Sequence, residues 1–168
     1  PRSVELLTGI LKEDPTHAEA RYRLGELALA QGDRHAAIRY WTENLVSGQG
    51  RSGARRIEML VRTAMALGAL KETMFDADGA RAAYANGLEH APDDAGLLFA
   101  SGRLAHRTGR VVDALHFFEA ALAHDGPEAQ LRNNIGALYL QQGRPTDALP
   151  HLERLAALRP TDAHVRYN

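Results

Sequence analysis

The chain has 168 residues, 45% hydrophobic and 24% charged, the balance of an ordinary folded protein. Lys and Arg number 20 and Asp and Glu 21, for a net charge of −1, which argues against general nucleic-acid binding. There is no cysteine, so disulfides and thiolate metal sites are excluded, and cytoplasm and periplasm are equally compatible. The longest apolar run, Ala64–Leu67 followed by Gly68–Leu70, falls far short of the roughly 20 residues that cross a bilayer.

In chain order, residues 1–15 read as the second helix of a partial unit, with Val4, Leu7 and Leu11 at helical spacing and Pro15 closing it. Residues 17–50 contain Leu24-Gly25, a turn at Gly32-Asp33, then Ala37 and Trp41. The stretch Ser47–Gly53, Ser-Gly-Gln-Gly-Arg-Ser-Gly, is a linker by composition. A helical run over 54–74 follows, carrying Ile57, Leu60, Val61, Ala64, Met65, Leu67 and Gly68 on its apolar period. At about six turns it is over-long, and its extra N-terminal turns are expected to project beyond the stack. A tolerated surface insertion is the simpler account of them, a contact arm the functional one.

Residues 51–94 continue with Ala80, Tyr84 and Pro92. Residues 95–128 and 129–162 repeat the same plan, with Gly109-Arg and Gly143-Arg as turns, and Asp93-Asp94 reads as a helix N-terminal cap. Pro150 falls inside the last predicted second helix, so a kink or a late helix start is expected there. Residues 163–168 read as the start of another first helix. Both ends thus fall inside a repeat and no basic-then-apolar leader is visible, which reads as an excised segment.

Gly68, Gly102 and Gly136 stand 34 residues apart, and Gly25 precedes Gly68 by 43, so one insertion of nine separates the first two full units. A fixed period identifies one folding unit used repeatedly. Glycine in a helix interior costs about 1 kcal/mol relative to alanine, so its recurrence needs a packing reason. If these glycines take repeat position 8, alanine recurs at position 20 as Ala37, Ala80, Ala114 and Ala148. Small residues at both positions let two helices approach closely.

This pattern, Leu-Gly, then a turn glycine, Ala, a large residue and a closing Pro, resembles the tetratricopeptide repeat (TPR), a helix–turn–helix unit. The resemblance implies an all-α, right-handed superhelix of about ten helices, one solenoid whose first helices line a concave side. It further implies that positions 2, 5, 6, 9, 12 and 13 face the groove. In this numbering the groove is lined by Glu19, Tyr22, Glu26, Arg62, Met65, Phe99, Arg103, Arg107, Gln130, Asn133, Asn134 and Tyr167. That mixed stripe suits an extended peptide or partner helix, with rings as anchors and arginines for carboxylates. Burial of Met65 and Phe99 between neighbouring first helices is the competing account.

The carboxylate clamp of some TPR proteins is absent, because Tyr22 and Glu26 stand where it needs Lys and Asn. Asn134 and Asn168 share position 6 and resemble an asparagine ladder, yet Arg23, Ala66 and Ala100 occupy the earlier equivalents. The eight histidines scatter over turns and outer faces, and His116 with Glu119 lacks a third ligand. His90 and His124 fall near helix C-termini, where a cation suits the dipole. No phosphate loop, nucleophile elbow or paired-acid constellation appears, so no catalytic residue, metal or cofactor is expected.

The expected function is a protein-interaction scaffold that receives a peptide or protein segment. A substrate-docking domain of a larger enzyme, such as a glycosyltransferase or sulfotransferase, is the alternative, and a self-assembly module the third. The last would use the exposed terminal half repeats, through Val4, Leu7 and Leu11 at one end and Val165 and Tyr167 at the other.

Overall fold

The computed structural model describes residues 2–47 and 53–158; among them are nine helices and no strand. The chain divides into two compact units, Pro1–Pro92 and Asp93–Asn168. The first holds α1 (Arg2–Glu13), α2 (Ala18–Ala30), α3 (Arg34–Ser47), α4 (Ala54–Thr73) and α5 (Ala77–His90). The second holds α6 (Ala95–Arg107), α7 (Val111–Ala123), α8 (Glu128–Gln141) and α9 (Pro145–Leu158). The further first helix expected at 163–168 lies outside the described residues, as do 48–52 of the expected linker.

Within the first unit α2 packs on α3 and α4 on α5, while α1 lies against α2, α3 against α4, and α2 touches α4. In the second, α6 packs on α7, α8 on α9, and α7 joins the two pairs.

Each hairpin closes on the same contact. A Cβ placed on Gly25 or Gly68 would overlap the ring of Trp41 or Tyr84. On Gly102 it would stand 2.6 Å from Phe118 Cδ1, and on Gly136 2.8 Å from Leu152 Cδ2. The glycine therefore lies directly beneath the side chain at position 24. The alanines of position 20, all 0% exposed, seat the crossing beside it.

The turns follow from the chain's conformational preferences. Gly32, Gly109 and Gly143 take φ of 81°, 75° and 69°, in the left-handed region that glycine enters without penalty. The fourth hairpin places Phe75 there at φ 59°, a conformation that costs a side-chain-bearing residue on the order of 1–2 kcal/mol. The second helices of the first unit, α3 and α5, start on aspartate caps: Asp33 accepts from the Ala36 N–H at 2.9 Å and Asp76 from Gly79 at 2.8 Å. Lys71 and the Gly79 N–H hold the Asp76 carboxyl below its usual range. Asp94 caps α6 as its sequence predicts, accepting from Leu97 at 2.8 Å.

In the first unit a buried polar junction joins three helices. Asn44 of α3 donates through Nδ2 to the Ala18 carbonyl of α2 at 3.1 Å and to Thr63 Oγ1 of α4 at 2.8 Å. Thr63 donates in turn to the Met59 carbonyl at 2.7 Å, and Asn44 and Thr63 are wholly buried.

Two expectations are corrected here. The first turn of α4 does not project free. Arg56 donates to the Thr16 and Ser47 carbonyls at 3.2 and 2.7 Å, and Arg55 pairs with Glu19 at 3.1 Å. The insertion is thereby tied back to the turn before α2. On α1, Val4, Leu7 and Leu11 are half-buried, while Leu6 and Ile10 are 67% and 38% exposed. The open apolar surface at this end belongs to those two residues instead.

In the second unit α9 starts at Pro145 and continues through Pro150, so the late start is not found. Pro150 sits in the second turn, where both it and Thr146, whose carbonyl loses a helical donor, are exposed. His151 follows, half-buried, with its ring 6.0 Å from that of Tyr139 and Nδ1 buried without a partner among the described residues. Burial and the nearby Arg132 cation push its pKa down, against a smaller upward pull from Glu119. Glu128 accepts from Arg132 at 2.8 Å and from Arg154 at 2.9 Å, which holds its carboxyl below the usual range.

Two outcomes test this packing. Gly102→Ala presses a methyl into the Phe118 ring and is expected to destabilise by about 1–2 kcal/mol, despite alanine's better helix propensity. Gly136→Ala meets only the movable end of Leu152 and is expected to stay within about 1 kcal/mol of wild type. Thermal melts of the two variants side by side decide it, and equal midpoints would contradict the assignment. Separately, the lowered His151 pKa means the unfolded chain takes up that proton first. Its contribution is therefore neutral above the ordinary value of 6.5 and increasingly destabilising as pH falls below it toward the folded value. Urea unfolding at pH 7.5 and 5.5 is expected to show a smaller pH-dependent loss for His151→Gln than for wild type.

Candidate functional site

The tight crossings bury position 8, and the register expected from sequence to face a groove is positions 2, 5, 6, 9, 12 and 13 of the same helices. In the first unit several of those positions on α2 and α4, with Leu70 at position 10, border a concavity of 430 Å³. Tyr22, Glu26 and Leu29 line it from α2, and Ala66, Ala69, Leu70 and Thr73 from α4. Arg34 and Trp41 of α3 complete it. The hollow exists because α4 presents two alanines where larger residues would close the space.

Neighbouring side chains hold its Tyr22 and Glu26. The Arg62 guanidinium lies over the Tyr22 ring, 4.8 Å from the centroid, and Tyr22 stacks on Trp41 at 6.4 Å and 29°. Trp41 Nε1 donates to the Tyr22 carbonyl at 3.1 Å, which fixes that stack. Burial and the Glu26 carboxylate raise the Tyr22 phenol pKa, against the opposing effect of Arg62. Glu26 pairs with Arg23 at 2.8 Å. Tyr22 is only 8% exposed, Glu19, Glu26, Arg62 and Met65 are half-buried, and Ala69 is exposed.

In the second unit the same register on α6 and α8 has a different character. Phe99 is half-buried, with its ring 5.9 Å from that of Phe118 beneath it. Arg103 and Arg107, one turn apart, are exposed, as are Gln130 and Asn133, while Asn134 is half-buried. Ala100 at position 6 is buried, so it offers no rung to a ladder that would continue from Asn134. No carboxylate occupies a groove-register position of α6 or α8. Tyr167, Val165 and Asn168 lie outside the described residues.

Arg34 and Trp41 were not predicted to line a site. The register rule addresses first helices only, and Trp41 borders the hollow from α3 with its indole packed against Gly25. Leu29 and Thr73 stand at positions 12 and 13, so the rule already reaches them. Among the described residues no group of three His, Asp or Glu side chains is arranged to hold a metal. His116 is exposed, and Glu119 accepts instead from the Tyr139 hydroxyl at 2.7 Å. His90 ends α5 as expected, and His124 caps α7 with its Nε2 3.4 Å from Asp93. No helix of the described residues is long and apolar enough to cross a membrane.

No curated protein matches the chain in sequence. Several solved structures share its fold. A crystal structure of MamA superposes with a TM-score of 0.71 at 17% identity, over 92% of this chain and 85% of that one. MamA from Desulfovibrio magneticus RS-1, residues 41 to its end, gives 0.68 at 15% identity, over 95% of this chain and 85% of that one. YrrB, described as a TPR protein with an unusual peptide-binding site, gives 0.68 at 20% identity, over 99% of this chain and 81% of that one. A family profile for the tetratricopeptide repeat matches residues 1–50, 74–129 and 113–163. Repeating glycine crossings, antiparallel helix pairs and that match agree: the chain is a member of the tetratricopeptide repeat family.

Proposed function

We propose that this chain is a protein-interaction scaffold, with units 17–50, 51–94, 95–128 and 129–162 as its repeats, and that the first helices of the second unit receive an acidic, extended segment. One observation carries the reading. The groove-register positions of α6 and α8 offer Arg103 and Arg107, the Phe99 ring and the amides of Gln130, Asn133 and Asn134, without a carboxylate among them. Guanidinium groups recognise carboxylates through charge-assisted, often bidentate hydrogen bonds. Carboxamides, which both donate and accept, match an extended peptide backbone. A half-exposed ring beside them gives an apolar residue of the segment a surface to cover.

The peptide-binding site named for YrrB supports a peptide as the kind of ligand. In the first unit the matching positions, Glu19, Tyr22, Glu26, Arg62 and Met65, are engaged with neighbours or half-buried, so the reading gives them a lesser share.

The test uses labelled synthetic peptides that alternate acidic and apolar residues, with charge-reversed versions as controls. Acidic peptides are expected to bind more tightly than basic ones. Phe99→Ala combined with Arg103→Glu is expected to weaken that binding at least tenfold, about 1.4 kcal/mol, while the helical circular dichroism is kept. Unchanged affinity in the double variant, or a preference for the basic peptides, would reject the assignment.

A further inference from the structure

Position 12 of α6, in the groove register of the second unit, is His106, exposed like Arg103 at position 9. Phe99, Arg103 and His106 stand at i, i+4 and i+7, so they form one stripe along the helix, the last two a single turn apart. Side chains three apart on a helix have Cβ atoms about 5–6 Å from each other, close enough for both to reach the two oxygens of one carboxylate. Among the described residues neither Arg103 nor His106 has an ion-pair partner.

We infer that His106 belongs to the acidic-segment site and makes its affinity depend on pH: the ring takes up a proton as the segment binds and, with Arg103, holds one of the segment's carboxylates. This rests on the peptide reading of α6 and α8. Imidazole is the side chain whose ordinary pKa puts its change of charge between pH 5 and 8. A carboxylate brought within about 4–6 Å favours the protonated ring and raises its pKa in the complex by about one unit or more. A group whose pKa is higher bound than free adds affinity as pH falls. Affinity therefore rises from pH 8.0 to pH 5.5, a range in which the segment's own carboxylates stay ionised.

The second unit's own acids are otherwise engaged. α6 carries no carboxylate, and its charged groups beside His106 are Arg103 and Arg107. α7, the helix packed against it, brings Asp113, His116 and Glu119. Asp113 is held by Arg110 at 3.2 Å, and Glu119 accepts from the Tyr139 hydroxyl at 2.7 Å. At the end of α7, His124 lies 3.4 Å from Asp93. The carboxylate for His106 is thus the segment's. His106 also falls in the last turn of α6, where a cation suits the helix dipole. That effect is the same with and without a bound segment, so it moves stability with pH but not affinity.

The test titrates the full chain with the acidic–apolar peptides by calorimetry at pH 8.0 and 5.5, in buffers of different ionisation enthalpy, with circular dichroism to confirm the fold at both. Wild type is expected to bind about fivefold or more tightly at pH 5.5 and to take up protons on binding near neutral pH. His106→Gln is expected to remove both the pH dependence and the uptake. His106→Lys, charged at either pH, is expected to bind without a slope and more tightly than His106→Gln. His116→Gln, on α7, is expected to keep the wild-type slope. Tight acidic-peptide binding that is flat with pH in wild type overturns this inference and leaves the peptide reading standing. A slope that persists in His106→Gln overturns it too, and acidic peptides that bind at neither pH overturn both readings together.

Discussion

Everything in this fold depends on how closely two helices can approach at one point. Bare backbone at Gly25, Gly68, Gly102 and Gly136 admits the side chain sixteen residues later to van der Waals contact. That single contact fixes which face of each first helix turns inward. The side chain that fills it varies from Trp41 to Tyr84, Phe118 and Leu152, and the variation has consequences. Trp41 and Tyr84 bring polar tips, which bond the Tyr22 carbonyl and Glu72 across their hairpins at 3.1 and 2.6 Å. Phe118 and Leu152 bring none, so the second unit's pairs depend on apolar burial alone at this point.

The outward faces inherit their register from those crossings but not their chemistry. On α2 and α4 the charges are internally satisfied: Arg23 with Glu26, Arg55 with Glu19, Arg62 on the Tyr22 ring. On α6 and α8 the same positions carry guanidinium and amide groups with no acid among them. Shared geometry with different decoration is the usual way repeat proteins separate stability from recognition. Here the first unit presents a wall of paired charges with a hollow in it, and the second a register that carries cations and amides.

The glycine period, the turn glycines and the Asp94 cap were legible in sequence because each reflects a local rule with few exceptions. What escaped depended on contacts between segments distant in sequence. Composition marks Ser47–Gly53 as a linker but does not reveal that Arg56 returns to the Thr16 and Ser47 carbonyls. Helical spacing on α1 selects Val4, Leu7 and Leu11 as apolar, and α2 half-covers those same residues, which leaves Leu6 and Ile10 outside. Phe75 is silent in sequence because a phenylalanine after a helix reads as core until its backbone is seen in the left-handed region. Of the site, the register was readable from the period. Side chains from α3 were not, since Trp41 enters through a gap that only the folded crossing opens.

The Asn44 junction bears on how the first unit settles on one arrangement. Apolar contact between α3 and α4 is non-directional and does not by itself select one registration. The carboxamide supplies that preference: a shift of α4 takes Thr63 Oγ1 away from Asn44 Nδ2 and leaves this buried donor short of one of its two acceptors, in a region that water does not reach. One side chain thus acts as an indexing pin, selecting a single registration from several that greasy surfaces alone would tolerate.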